Sequence, residues 1–354
     1  MSKRQEFGYA LDGLSAWFDR KKRILPWRDE PTLYRVWISE IMLQQTQVVT
    51  VVPYFERFLA RFPSVEILAA APMEDVLAQW AGLGYYSRAR NLHKAAQKIV
   101  AEGGFSQDGS GRLATREGWL EIPGVGDYTA GAILSIALDQ PEAILDGNVE
   151  RVLSRVRRVG RARGDALYKA RLWRLSRAFV TRAHARGLHP RVINQALMEL
   201  GATTCTPRKP LCDLCPLKGL CRAQARGEQE IYPPRKKRKE WLEVREELHC
   251  VVDPRGRVLL RQRREGEWRA GLWDLPSEAP GGAECLGSVE SRHVVTRHKI
   301  TRVTQVWRSV ALTAAEAGEG GTRWVSLAAP EVAVGSALKK TLQSVRERYL
   351  PDLL

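Results

Sequence analysis

Four of the six cysteines lie between positions 205 and 221 and are the most chemically distinctive residues of the chain. Their spacing is C-x6-C-x2-C-x5-C, formed by Cys205, Cys212, Cys215 and Cys221. Four thiolates this close can surround a soft metal centre. Zinc usually takes two knuckle pairs with a long gap, or recruits histidines. One C-x2-C pair without histidine therefore favours an all-cysteine [4Fe–4S] cluster; structural zinc and unligated thiols are the alternatives. Cys250 and Cys285 are expected to be plain buried thiols.

Glu40 is the first candidate for acid chemistry. It shares a helical stripe with Val36 and Leu43, and this placement predicts partial burial and a raised pKa. A carboxyl that stays protonated near neutral pH can act as a general acid. An exposed glutamate is the alternative for a lone acid. The polar residues 44–47 follow it, and amides such as that of Gln44 suit hydrogen bonding to base edges.

A second carboxyl, Asp146, lies in the segment that leads into a predicted helix. Asp146 or Asn148 would cap this helix, which we expect to start near Val149, and capping alone would explain either residue. An aspartate at this place can also stabilise a cation. Glycoside cleavage through an oxocarbenium-like state uses one protonated and one ionised carboxyl. Glu40 and Asp146 are therefore a candidate catalytic pair.

Residues 122–127 predict a turn between two helices, and its centre is Pro123, Gly124, Val125 and Gly126. Glycine permits positive φ and close backbone approach, and the following helix presents N–H groups at its start. Such a turn can bind an anion, which for a basic protein would be a DNA phosphate. An ordinary helical corner is the alternative, but the small residues that follow favour a helix-hairpin-helix.

The segment 82–93 combines glycines, tyrosines and arginines. The glycines predict a tight bend, Tyr86 could wedge into a base stack, and Arg88 could meet a phosphate. Packing against the protein is the alternative for aromatic residues in a loop.

The composition favours a polyanionic partner. Lysine and arginine number 56 against 40 acidic residues, which gives a formal net charge of +16, and phosphate contacts release counterions. Plain solubility is the alternative. The N-terminus lacks a secretory signal and no apolar run is long enough to span a membrane. We therefore expect no membrane association, no disulfide framework, and a cytoplasmic protein bound to the nucleoid.

The coarse pattern predicts three regions. Residues 1–225 have helical periodicity, residues 226–240 form a linker with a basic run, and residues 241–354 contain strands. A hairpin is expected from residues 248–252 and 257–261, further strands at 303–310 and 323–327, and a closing helix over 334–349. Prolines are expected to separate the helices of the first region, at Pro53, Pro63, Pro72, Pro123 and Pro141.

Together these segments resemble the endonuclease III superfamily, and within it the MutY branch of adenine glycosylases. The resemblance covers nearly all of residues 1–225. It is carried by LPWR at 25–28, SEIMLQQTQV at 39–48, GLGYYSRARNLH at 82–93, IPGVGDYTAGAILS at 122–135, LDGNVERVLSR at 145–155 and the four cysteines. It implies a mainly α helix-hairpin-helix fold, with a six-helix domain of about residues 30–140. A [4Fe–4S] cluster domain would come from residues 1–29 and 141–225.

The resemblance also implies roles for single residues. Glu40 matches the catalytic acid that protonates adenine, and Asp146 matches the carboxylate that stabilises the sugar cation. Tyr128 and Asn148 match active-site positions that contact the extruded nucleotide, and Arg28 matches a pocket arginine.

Further matches concern DNA and the reaction outcome. Gln45 and Tyr86 match residues that enter the helix around the damaged pair. Superfamily members that also cut the strand have a lysine where this chain has Tyr128, so no amine is available for a Schiff base. The resemblance implies a monofunctional, monomeric adenine glycosylase that acts on double-stranded DNA with adenine opposite 8-oxoguanine or guanine. A bifunctional pyrimidine-lesion glycosylase and a non-catalytic, redox-sensing DNA-binding protein are the alternatives.

The C-terminal region resembles the Nudix-like α+β recognition domain of the same branch. It lacks the glutamate-rich box of a Nudix hydrolase. In the family, a Phe-Ser-His-like loop of this domain reads 8-oxoguanine, and here the aligned residues are 293–298. Val295 stands in the aromatic position and Thr296 keeps a hydroxyl. Arg297 stands in for the histidine unless His298 takes that role.

Overall fold

The computed structural model describes residues 3–106, 110–160, 165–234, 240–295, 297–309 and 321–351. The chain divides into two compact units. The helical unit comprises Met1–Ala69 and Lys94–Lys237, and the sheet unit comprises Ala70–His93 and Arg238–Leu354. The predicted limits, residues 1–225 and 241–354 with a linker over 226–240, stay a prediction. The basic run at 235–239 lies outside the described residues.

Helices account for most of the described chain before residue 204. They are α1 Lys3–Lys21, α2 Pro26–Asp29, α3 Leu33–Leu43, α4 Val48–Arg61, α5 Val65–Ala70, α6 Met73–Trp80, α7 Ser87–Ala101, α8 Arg116–Leu120, α9 Asp127–Leu138, α10 Gly147–Arg157, α11 Ala166–His184 and α12 Pro190–Thr203. One short 3₁₀ turn, Arg112–Ala114, lies between α7 and α8, and three more follow α12 at Cys212–Leu214, Lys218–Leu220 and Gln224–Arg226. No described helix has the length and apolar character needed to cross a membrane.

Local sequence fixes the ends of α3, the helix that carries Glu40. The Thr32 hydroxyl accepts a hydrogen bond from the backbone N–H of Arg35 and caps the start of the helix. The helix ends at Leu43, and Gln45 then adopts a left-handed backbone with φ 59°. This conformation is uncommon for residues other than glycine. The chain therefore turns between α3 and α4, close in sequence to the candidate catalytic residue.

Pro53 does not separate two helices, because it lies inside α4. The predicted boundary at this proline is wrong. Val51, Phe55 and Phe58 are buried on both sides of it. Burying this continuous apolar stripe outweighs the one backbone hydrogen bond that proline removes.

The sheet unit contains α6, the first residues of α7, one six-stranded mixed sheet and a closing helix. The strands are β1 Leu242–Val252, β2 Arg257–Gln262, β3 Trp273–Asp274, β4 Glu284–Val295, β5 His298–Arg308 and β6 Thr322–Ser326, followed by α13 Ser336–Tyr349. Their order is β3-β2-β1-β5-β4, and β6 pairs with β2. Strands β1 and β5 are parallel, and the other pairs are antiparallel. This α+β architecture confirms the predicted fold class of the region, and the Nudix-like assignment stays a prediction.

The predicted hairpin of the sheet unit is confirmed as β1 and β2. Its turn is held by Asp253, whose Oδ1 accepts from the backbone N–H groups of Arg255 and Arg257 at 3.0 and 2.8 Å. Cys250 lies in the core of this unit, as predicted. Cys285 is exposed, so its predicted burial is wrong. A register shift between Cys285 and Gly287 disturbs the strand alternation there.

Candidate active site and iron–sulfur site

Glu40 lies on a cleft of about 500 Å³ in the helical unit. Its side chain comes from the last turns of α3 and is only 4% exposed. The same cleft gathers seven residues proposed from the sequence, which are Arg28, Glu40, Gln44, Gln45, Tyr128, Asp146 and Asn148. The helical stripe thus predicted the burial of Glu40, and the cleft is the candidate active site.

Tyr128 and Glu40 form a direct hydrogen bond. Tyr128 follows the Pro-Gly-Val-Gly turn in the first turn of α9, and its hydroxyl donates to Oε2 of Glu40 at 2.7 Å. The hydroxyl also lies 3.3 Å from Sδ of Met198. The turn motif therefore positions a hydroxyl group on the candidate acid.

The surroundings of Glu40 bring the pKa of its carboxyl close to neutral pH. Burial raises the pKa of Glu40 to about 7. The negative charge of Asp146 adds to this rise, whereas the Tyr128 hydrogen bond and the charge of Arg28 oppose it. A carboxyl with this pKa can both donate and accept a proton at physiological pH.

Asp146 has the capping role predicted from its position. Its Oδ1 accepts from the backbone N–H groups of Asn148 and Val149 at 3.0 and 2.7 Å, and α10 begins at Gly147. Its Oδ2 accepts from Nδ2 of Asn148 at 2.9 Å. Burial raises the pKa of Asp146, although these hydrogen bonds oppose that rise. Capping does not exclude catalysis, because the carboxylate also lines the cleft.

A buried ion-pair network beside the cleft was missed from the sequence. Glu199 on α12 accepts from Nε and Nη2 of Arg23 at 2.6 and 3.1 Å, and from Nη2 of Arg28 at 2.8 Å. Burial favours a raised pKa for Glu199, but the two arginines outweigh it and hold the pKa below its usual value. Gln195 accepts from Nε of Arg28 at 3.0 Å. The signal in the sequence was the spacing of Gln195 and Glu199, two polar residues one helical turn apart on α12.

The helix-hairpin-helix turn has the geometry that its glycines predict. Gly124 has φ 83°, and the Val125 N–H donates to the carbonyl of Ile122 at 3.1 Å. Helix α9 follows directly after Gly126. The first N–H groups of a helix lack intrahelical acceptors, so the start of α9 suits an anion. Asp127, the first residue of α9, forms an ion pair with Arg116 at 2.9 Å. The charge of Arg116 offsets the negative charge of Asp127 at this helix start.

The residues proposed for entering DNA differ in their surroundings. Gln45 is exposed on the rim of the cleft, and Gln44 lies 3.4 Å from the Thr129 hydroxyl. Tyr86 belongs to the sheet unit, where it accepts from the Gly82 N–H at 3.1 Å. Arg88 is only 8% exposed, and its Nη2 donates to the carbonyl of Gly84 at 3.1 Å.

The structure corrects the prediction that Arg88 meets phosphate. Its guanidinium packs over the rings of Trp80 and Tyr85, with centroids at 5.3 and 5.5 Å. Burial lowers the pKa of Arg88 to about 10. Arg88 therefore stabilises the loop from within.

The predicted lesion-reading loop is described only in part. Thr296 lies outside the described residues. Arg297 is exposed, whereas His298 begins β5 and its ring centroid lies 5.1 Å from that of Trp268. His293 and Val295 line a cavity of the sheet unit.

The four cysteines of the predicted cluster surround one small cavity of the helical unit. Burial, together with repulsion from the other three thiols, raises the pKa of Cys215 to about 12. A cationic centre is therefore needed to hold all four as thiolates. Among the described residues, no group of three or more Cys, His, Asp or Glu side chains has an arrangement that could hold a single metal ion. Arg155 and Lys218 also line the cavity and suit the negative charge of a thiolate-ligated cluster.

Arg155 organises the first loop of this cysteine set. Its side chain is only 1% exposed, and Nη1 donates to Sγ of Cys205 at 3.2 Å and to the Thr206 carbonyl at 2.7 Å. Its Nη2 donates to the Pro207 carbonyl at 3.1 Å. Lys209 in the same loop has φ 47°. The loop that contains the basic residues 208 and 209 thus folds around the buried guanidinium of Arg155.

Comparisons with known proteins agree with this architecture. Residues 38–178 match the model of the HhH-GPD superfamily of base excision DNA repair proteins, and residues 205–221 match the iron–sulfur binding domain of endonuclease III. A solved thermostable thymine-DNA glycosylase superposes with a TM-score of 0.51 at 25% identity, over 63% of this chain and 98% of that one. The fold and the site thus define a helix-hairpin-helix protein of the base excision repair class. The predicted [4Fe–4S] cofactor is confirmed by the match over the cysteines.

Two curated relatives place the chain more closely. Human adenine DNA glycosylase is 40% identical over 318 residues, which cover 75% of this chain and 56% of the human protein. Adenine DNA glycosylase of Schizosaccharomyces pombe is 34% identical over 327 residues, which cover 75% of this chain and 68% of that protein. The chain belongs to the adenine DNA glycosylase family. It spans little more than half the length of its mammalian relatives.

Proposed function

We propose that this chain hydrolyses the N-glycosidic bond of adenine in double-stranded DNA and leaves an abasic site. The proposed substrates have adenine opposite 8-oxoguanine or guanine. The observation that carries the proposal is the buried Glu40 carboxyl, with a pKa of about 7 and a hydrogen bond from Tyr128, on the cleft that also contains Asp146. Adenine glycosylases of the same family support adenine as the base removed.

The cleft residues suit a dissociative hydrolysis. Adenine must leave the base stack before its glycosidic bond can reach Glu40. Protonated Glu40 donates its proton to a ring nitrogen of adenine, so the base departs with the electrons of the C1′–N bond. The Asp146 carboxylate stabilises the positive charge left on the sugar. Water then adds to C1′, and the Glu40 carboxylate accepts the proton that the water loses.

The proposed reaction stops at the abasic site. A strand-cutting glycosylase needs an amine that forms a Schiff base with the opened sugar. At the position next to Glu40 the chain supplies the phenol of Tyr128. Borohydride should therefore trap no covalent complex with DNA. Efficient trapping would instead favour a bifunctional enzyme.

DNA binding is assigned to surfaces outside the catalytic pair. The start of α9 would hold a phosphate, and Gln45 and Tyr86 would enter the duplex beside the target. When bound, the [4Fe–4S] cluster would be held by the four cysteines and would supply iron–thiolate bonds that cross-link residues 205–221, and no step above involves it. We propose that the protein acts as a monomer.

The Glu40→Gln variant tests the catalytic assignment. Glutamine keeps the shape of the side chain and its contact with Tyr128 but cannot act as the acid. We expect excision to fall by at least about 100-fold, with affinity for an adenine mispair within a few-fold of wild type. Excision at the wild-type rate would contradict the assignment of Glu40.

A further inference from the structure

A second large cavity lies in the sheet unit and shares no residue with the Glu40 cleft. Its volume is about 520 Å³. One wall comes from residues 84–87 and 90, and another from the β2–β3 loop and the end of β4. Its aromatic lining consists of Tyr85, Tyr86, Trp268 and Trp273. A cavity of this size with several aromatic rings suits a planar ligand such as a nucleobase.

Trp268 is the most accessible tryptophan of this lining, with 41% of its surface exposed. The loop that carries it is fixed. Glu267 accepts from Nη1 and Nη2 of Arg261 at 3.0 and 2.7 Å, and the Gly271 N–H donates to the Arg263 carbonyl at 2.8 Å. Arg90 donates to the carbonyl of Ala270 at 2.6 Å. The loop that carries the indole is therefore ordered before any ligand binds, which lowers the entropy cost of binding.

The neighbours of the indole also suit an aromatic contact in DNA. The guanidinium of Arg269 lies 5.4 Å from its ring centroid, and the His298 ring meets it edge-on at 5.1 Å. Arg269 is itself anchored, since it donates to Asp274 at 3.0 Å and lies 3.1 Å from Nε2 of His293. A cation beside an aromatic ring is a common feature of surfaces on which bases stack.

The nearby segment 293–298 contains no phenylalanine, tyrosine or tryptophan. Val294 and Val295 occupy its centre and line the same cavity as Trp268. A valine offers no π-face to a base, whereas the indole does. Tyr85, on the facing wall, is 40% exposed with a left-handed backbone of φ 49°. The cavity thus has the exposed rings of Trp268 and Tyr85, whereas its β4 wall contributes two valines and the imidazole of His293.

We propose that Trp268 stacks on guanine or 8-oxoguanine, the nucleobase opposite the target adenine, and so supplies an indole face where segment 293–298 has no phenylalanine, tyrosine or tryptophan. The inference rests on the proposed function and deepens it, since it names a residue that binds the partner base. Stacking is tolerant of base identity. Trp268 therefore contributes affinity for either purine.

A double-mutant cycle between protein and DNA tests this contact. The ligands are two duplexes with an uncleavable 2′-fluoro-adenosine, one with 8-oxoguanine opposite it and one with an abasic site there. Wild type, Trp268→Ala and Trp268→Phe are compared by fluorescence anisotropy. The control is Trp241→Ala, which removes an indole that is 53% exposed and lies outside the cavity lining.

We expect Trp268→Ala to bind the 8-oxoguanine duplex on the order of tenfold more weakly than wild type. On the abasic duplex the two proteins should bind within about twofold of each other, because the stacking partner is missing. Trp268→Phe should restore most of the affinity, and Trp241→Ala should resemble wild type on both duplexes.

Two results would overturn the inference. One is an equal loss by Trp268→Ala on both duplexes, which would indicate a general effect on DNA binding or folding. The other is wild-type affinity in Trp268→Ala. Excision of ordinary adenine by the wild-type protein is measured in parallel, and its absence would contradict the proposed function instead.

Discussion

The hydroxyl of Tyr128 donates to Oε2 of Glu40 at 2.7 Å, although the two residues lie on different helices. Tyr128 stands two residues after Gly126, the last residue of the Pro-Gly-Val-Gly turn. The same element that suits a DNA phosphate thus places a hydrogen-bond donor on the candidate acid. The proposed backbone contact with a DNA phosphate and the hydrogen bond to Glu40 would therefore come from the same element.

Replacing Tyr128 should change the pH dependence of excision. The Tyr128 hydrogen bond stabilises the carboxylate and so lowers the pKa of Glu40, which burial raises to about 7. In wild type, the single-turnover rate should fall as pH rises through about 7, because the acid loses its proton. In Tyr128→Phe the pKa of Glu40 should be higher, so the fall should move to higher pH. A shift to lower pH, or none, would contradict this role of Tyr128.

Replacing Glu199 should shift the pH at which the excision rate falls in the opposite direction. With Glu199→Gln, Arg28 loses its anionic partner at 2.8 Å, and its charge should then favour ionised Glu40 more strongly. The fall of the excision rate with rising pH should therefore occur at lower pH than in wild type. We also expect a loss of roughly 3 kcal/mol of stability, the lower end for a buried ion pair that loses one partner, because Arg23 is partly exposed. Thermal unfolding measures this loss, and an unchanged melting temperature together with an unchanged pH profile would contradict the role of Glu199.

Two substitutions of Asp146 should separate capping from catalysis. Asparagine is as good an N-cap as aspartate, whereas alanine costs about 1 kcal/mol. Asp146→Asn should therefore melt close to wild type, and Asp146→Ala should be less stable. Both should lose excision by at least about 100-fold, since neither can stabilise a sugar cation by its charge. Substantial activity in Asp146→Asn would show that capping is the main role of the residue.

Cysteine substitutions should distinguish the cluster ligands from the other thiols. Cys212→Ser should lose iron and visible absorbance, because serine is a poor ligand for an iron–sulfur cluster. The matched controls are Cys250→Ser and Cys285→Ser, which lie outside the cysteine set at 205–221. Both controls should keep the iron content of wild type. Full iron content in Cys212→Ser would contradict the assignment of that ligand.

Short-range patterns explain which parts of the site could be predicted. The burial of Glu40 followed from a helical stripe on α3, and the cap at Asp146 followed from its place before α10. The turn at 123–126 followed from its glycines. Each of these features depends on residues within a few positions of one another, so propensity and spacing suffice.

The remaining features depend on contacts that spacing does not encode. Glu199 meets Arg23 and Arg28 across separations of 176 and 171 residues. The sequence located Arg88 in a bend but did not indicate whether its guanidinium faces solvent or the Gly84 carbonyl. The exposure of Cys285 reflects a register shift within one strand pair. A single extra residue in a strand is enough to turn its side chains to the opposite face of the sheet.

An alkali-dependent strand-cleavage assay tests adenine removal most directly. Purified protein is incubated with end-labelled duplexes that place adenine opposite 8-oxoguanine, guanine or cytosine, and the products are compared before and after alkali. We predict breaks only after alkali, on the adenine strand of the first two duplexes. An iron-replete protein that leaves all three duplexes intact, or that cuts them without alkali, would contradict the account.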